Sequence, residues 1–264
     1  MTTSRRDLLK SASALVAGAT LTGSVMRAAG APMLGMIYPQ KAVIPPEASA
    51  MYPSGVKFLL ESVDLPSMTP ASYASVQDRI APAALKLKSQ GAQAIALMGT
   101  SLSFYRGAAY NQHLLDLIHG ATGLPATTMS TAIVEGLRAV GGKRLAVSTA
   151  YNEEVTGLLK KFLKESGFEV LAIKGLGLEA MTDPAKVTQD FLQKFTLDVF
   201  EKAPKADAVF VSCGGLRTLE IIAPLEKQTK VPVVSSLPHA LWAGVRLLGL
   251  KGTAPGYGKL LSKG

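Results

Sequence analysis

From residue 33 onward, short apolar runs alternate with amphipathic stretches. The runs MLGMIY (33–38), AQAIALM (92–98), PATTMS (125–130), RLAVST (144–149), EVLAI (169–173), DAVFVS (207–212) and PVVSS (232–236) have the length of buried strands. Helical spacing between them predicts helices over 70–90, 105–121, 131–140, 152–166, 184–202, 216–228 and 239–248. Such alternation predicts an α/β fold, with parallel sheets and helices on their faces.

The pattern also repeats. AQAIALMGTSL (92–102) matches ADAVFVSCGGL (206–216): a strand, three small residues, then a Leu entering a helix. Downstream, LPATTMSTAIVEGLRAVG matches VPVVSSLPHALWAGVRLLG, pairing Pro125 with Pro232 and Arg138 with Arg246. The repeat predicts two pseudosymmetric Rossmann-like lobes facing each other, the first from 32–131 plus 240–264 and the second from 132–239. Ligands in parallel sheets sit beyond the carboxyl ends of strands. Gly99-Thr100-Ser101 and Cys213-Gly214-Gly215 are therefore expected to line one cleft between the lobes.

The first 31 residues do not fit this alternation. SRRDLLK (4–10) is a twin-arginine motif, and SASALVAGATLTGSV after it is too short and too rich in Gly and Thr to span a bilayer stably. Small residues at Ala29 and Ala31 suit cleavage, so 1–31 reads as a twin-arginine export signal. The expectation is a periplasmic protein that engages the twin-arginine machinery and has no lasting membrane anchor. Removing the segment lowers the net charge from +9 to +6, because Arg5, Arg6, Lys10 and Arg27 leave with Asp7. The remaining lysines scatter over helix surfaces such as GLLKKFLKESG, with no basic run interleaved with aromatics, which argues against nucleic acid.

With one cysteine and three histidines, the chain has no disulfide framework and a poor donor set for zinc. His113 and His119 read as helix surface and His239 as a helix start. A strand entering a helix through small residues leaves backbone N–H groups free to bind an anion, although Ser and Thr there serve equally well as helix caps. Cys213 lies at such a strand end, beside two glycines. A lone thiol is often only a small buried hydrophobe. Placed in a cleft and protonated at neutral pH, it can also donate a proton.

The segments LMGTSLSFYRGAAYN, TGLPATTMSTAIVEGLRA, STAYNEEV, VSCGGLRTLE and VPVVSS together resemble the arylmalonate decarboxylases. These belong to the aspartate/glutamate racemase superfamily, with maleate isomerases as neighbours, and the similarity runs from about Gly35 to Gly258. The resemblance implies a cofactor-free site between the lobes that decarboxylates a disubstituted aryl or alkenyl malonate to a chiral monocarboxylic acid. It assigns protonation to Cys213, and a dioxyanion hole to Thr100, Ser101, Tyr151 and the Gly214 backbone. It assigns an apolar pocket for the departing carboxylate to Pro39, Leu65, Met68, Tyr73, Leu102, Leu178 and Met181. Racemases of the superfamily use a cysteine from each lobe, and Gly99 occupies the first-lobe position here. Gln40 departs from the family pattern, which has a second proline after Pro39. The alternatives are a maleate isomerase or racemase acting on a small dicarboxylate, and a periplasmic carboxylate-binding protein.

Overall fold

The computed structural model describes residues 30–41 and 43–263, so the expected export signal falls almost wholly outside the described residues. Among the described residues, eight strands form two four-stranded parallel sheets. The first contains β1 (Met33–Tyr38), β2 (Lys57–Ser62), β3 (Ala94–Leu97) and β4 (Ala126–Thr128), in the order β2-β1-β3-β4. The second contains β5 (Arg144–Tyr151), β6 (Glu169–Leu178), β7 (Ala208–Ser212) and β8 (Val233–Ser235), in the order β6-β5-β7-β8. The two orders are the same once the strands are renumbered within each sheet. The α/β class and the paired sheets are thus as the repeat predicts.

The helices are α1 (Pro46–Met51), α2 (Pro70–Ser75), α3 (Ile80–Ser89), α4 (Thr100–Phe104), α5 (Ala108–Thr122), α6 (Met129–Ala139), α7 (Glu153–Glu165), α8 (Gln189–Glu201), α9 (Leu219–Thr229) and α10 (Ser236–Leu247). Residues 31–264 cluster as one compact unit. α10 leaves β8 and packs on α6 and on β3 and β4 of the first sheet. Glycine at 244 permits that approach, since a β-carbon there would lie 2.7 Å from Leu34 Cδ2.

Burial explains which elements were visible in the sequence. β3 and β7 are buried at every position and β1 through its centre, so they read as unbroken apolar runs. Each fully buried Leu or Ile in them contributes about 2 kcal/mol. β2 is an edge strand whose KFLLES sequence is only partly covered, and it carries no such signal. The helix expected over 70–90 breaks into α2, a 3-10 turn at Gln77–Arg79, and α3. The one expected over 105–121 starts at Ala108, after Gly107 at φ +87°, and is preceded by the short α4. His113 and His119 are exposed, and His239 stands in the first turn of α10, fully buried. Its Nδ1 accepts from the Ser235 N–H at 3.0 Å, and burial pushes its pKa down to about 4, so it is a neutral core residue.

Candidate active site

The carboxyl ends of the central strands of both sheets converge on one cavity of about 150 Å³. From the first sheet come Tyr38, Pro39, Gln40 and Lys41 beyond β1, Leu65 and Met68 beyond β2, and Met98 to Leu102 beyond β3. From the second come Tyr151 at the end of β5, Met181 beyond β6, and Cys213, Gly214 and Gly215 beyond β7. An antiparallel bridge between Ser67 and Ala180, with the Met68 N–H donating to Glu179 O at 2.9 Å, ties the two methionine-bearing segments together. Met68 and Met181 consequently belong to one wall.

Gly99 caps α4 at φ −130°, an ordinary extended conformation. The short helix behind it is held by a buried hydroxyl network. Ser103 Oγ donates to Gly99 O at 2.8 Å and lies 2.7 Å from Ser130 Oγ, while Ser130 Oγ reaches Thr100 O at 3.2 Å. This anchors Thr100 and Ser101 to α6. Thr100 Oγ1 itself donates to Met129 Sδ at 3.2 Å, a weak acceptor that a carboxylate would readily replace. A β-carbon at Gly214 would lie 2.9 Å from that same sulfur. Glycine at 214 therefore leaves Met129 where Thr100 finds it.

Tyr151 is buried, its ring edge-on to Phe104 at 5.7 Å between centroids. Its hydroxyl accepts from Ser212 Oγ at 3.5 Å and lies beside Cys213 and Thr100. Burial, then the neighbouring Cys213, raises its pKa well above the usual phenol range, so it stays a donor. Cys213 stands at φ +131°, a backbone conformation L-residues rarely adopt. Burial pushes its thiol up to about 11, against the opposing effect of the Gly215 N–H, the Tyr151 hydroxyl and the Leu216 N–H. The thiol is protonated throughout the neutral range.

Of the residues singled out from the sequence, Pro39, Leu65, Met68, Gly99, Thr100, Ser101, Leu102, Tyr151, Met181, Cys213 and Gly214 all line the cavity. Tyr73 and Leu178 do not. Tyr73 is fully buried behind the wall, its hydroxyl beside Ser101 without a well-formed hydrogen bond. Leu178 pairs with Tyr151 at the end of β6 and packs against the core from outside the cavity. Gly215, expected in the cleft with Cys213 and Gly214, lines it too; Tyr38, Lys41 and Met98 line the cavity and were not anticipated. Adjacency to Pro39, Gln40 and Gly99 was the available signal. Among the described residues, no cluster of three or more His, Cys, Asp or Glu is placed to hold a metal ion, and no helix is long and apolar enough to cross a membrane.

Residues 34–261 match the arylmalonate decarboxylase family. The chain is 42% identical to the arylmalonate decarboxylase of Bordetella bronchiseptica over 90% of its own length and all of that protein. The chain belongs to the arylmalonate decarboxylase family. A solved arylmalonate decarboxylase, a glycine-to-cysteine, cysteine-to-serine double variant in liganded form, superposes with a TM-score of 0.86 at 41% identity, covering 88% of this chain and 100% of that one. Maleate isomerases are more distant. That of Pseudomonas putida is 28% identical over 64% of this chain and 66% of its own. The crystal structure of the maleate isomerase Iso from strain S16 of that species has a TM-score of 0.82 at 23% identity, covering 88% of this chain and 98% of that one, a likeness of fold.

Proposed function

We propose that this family member is a carboxy-lyase that decarboxylates a disubstituted aryl or alkenyl malonate without a cofactor. The observation that carries the reading is a protonated thiol, Cys213, in the same cavity as the hydroxyls of Thr100, Ser101 and Tyr151. One carboxylate of the malonate accepts from these hydroxyls and from the Gly214 N–H. The other faces Leu65, Met68, Leu102 and Met181, where its charge is poorly solvated.

Cleavage of the bond from the α-carbon to that carboxyl carbon releases neutral CO₂ and leaves the electron pair on the substrate. The pair delocalises as an enediolate onto oxygens already surrounded by donors. Each well-aimed donor contributes about 3 kcal/mol to such a transition state. Cys213 then transfers its proton to one face of the α-carbon, and the thiolate is reprotonated from solvent. Gly99 offers no acid on the facing strand end, so the product keeps one handedness.

The test is CO₂ release from methyl(phenyl)malonate by the mature protein, with Cys213→Ser and Cys213→Ala alongside. Turnover that collapses in both variants supports the reading. Interconversion of maleate and fumarate without CO₂ release supports an isomerase, and tight dicarboxylate binding without turnover supports a binding protein. We also propose export by the twin-arginine machinery to the periplasm, from the SRRDLLK motif and the weakly apolar run after it. Appearance of a shortened chain in the periplasm, lost when Arg5 and Arg6 become Lys, tests this.

A further inference from the structure

The apolar cavity has one polar end. With a carboxylate at Thr100, Ser101 and Tyr151 and its partner against the leucine and methionine wall, the surface left for the α-carbon's large substituent is the segment beyond β1 and the glycines of 214–215. Gly214 and Gly215 present bare backbone that a flat ring can lie against. Tyr38, Gln40 and Lys41 line the same cavity.

These three are not occupied elsewhere. The Tyr38 hydroxyl is buried with no hydrogen-bond partner. The Lys41 ammonium makes no ion pair among the described residues, although it is the cation of the cavity lining. Gln40 and Lys41 also border an outer hollow of about 350 Å³, shared with Asp64 and Leu65. Asp64 lies outside the inner cavity and accepts from Ser62 Oγ at 2.8 Å. The other nearby acid, Glu47, faces Tyr38, and burial raises its carboxyl toward the neutral form.

Resting on the decarboxylase reading, we propose that Lys41, with Gln40, selects malonates whose aryl or alkenyl substituent itself carries a carboxylate. The ring lies on the Gly214–Gly215 backbone, and its anionic group meets the Lys41 ammonium at the mouth, with the Gln40 amide beside it. A plain phenyl ring leaves these donors unused.

The experiment compares kcat/KM for methyl(phenyl)malonate and for its ring-carboxylated analogue, in the wild-type chain and in Lys41→Met and Lys41→Glu. The wild type is expected to favour the ring-carboxylated substrate by about fivefold at low salt, through KM. Lys41→Met removes the preference and Lys41→Glu inverts it. A ratio near one in the wild type, or one that neither variant changes, overturns the inference while leaving decarboxylation intact. Absence of CO₂ release from both substrates overturns the decarboxylase reading and this inference with it.

Discussion

The backbone N–H of Cys213 donates to Ser236 Oγ at 3.0 Å. The donor is a residue at an unfavourable positive φ at the end of β7, and the acceptor is the first residue of α10. A strained conformation persists only where its surroundings over-determine it, and Ser236 is the buried side chain that grips this one. The geometry of the proposed acid thus depends on a helix that packs on the other sheet.

Ser236→Ala is expected to lower stability by about 1 kcal/mol, the ordinary worth of one buried hydrogen bond. Its effect on turnover is larger, about tenfold in kcat with little change in KM, because the thiol loses its aim. Urea unfolding beside steady-state kinetics separates the two, and an unchanged kcat removes Ser236 from this role.

The thiol titration has a definite sign. Its folded pKa, near 11, is raised by burial above the free thiol value of about 8.5. Stability from burying the neutral thiol is therefore complete below about pH 8.5 and is lost as pH rises through about 11. Proton delivery should persist across the neutral range, and alkylation by iodoacetamide should be slow there and accelerate toward pH 11. Thiolate absorbance against a Cys213→Ser blank measures the midpoint, and a midpoint at or below neutrality contradicts the assignment as acid.

Gly214→Ala tests the link between the two strand ends. The new β-carbon would meet Met129 Cε at 2.7 Å and Sδ at 2.9 Å, displacing the sulfur to which Thr100 donates. The fold survives, since the far end of a methionine yields cheaply. Thr100 loses its orientation, and kcat/KM is expected to fall by about tenfold or more. Retention of full activity shows that Thr100 needs no such support.

Gly99→Cys places a second thiol at the facing strand end. The backbone there accepts a side chain, and the cost is a β-carbon 3.0 Å from Leu102 Cβ. The expected outcome is a loss of about 1 kcal/mol in stability and racemisation of the α-aryl acid product on prolonged incubation. Chiral chromatography reads it, and a product that stays enantiopure argues against acids on opposite faces.

What the chain reveals in advance follows burial. The unbroken apolar runs of β3 and β7 and the small residues after them made both halves of the cavity legible, Cys213 included. Edge strand β2 was not, because Lys57 and Glu61 interrupt its apolar pattern. Leu178 lies outside the cavity, at the end of β6 where its register against β5 shifts between Thr149 and Tyr151. Tyr73 is buried away from the cavity, where its helix packs against α4 and its ring meets Tyr105 at 5.2 Å. Lys41 carries no signal of its own in the sequence, and only the fold sets it at the cavity rim.

The most direct test of the central claim is decarboxylation of methyl(phenyl)malonate in D₂O, with and without the Cys213 thiol. A single deuterium on the α-carbon of a product of one handedness, formed by the wild-type chain and abolished in Cys213→Ala, is the predicted result. Racemic product, or an undiminished rate without the thiol, contradicts the account.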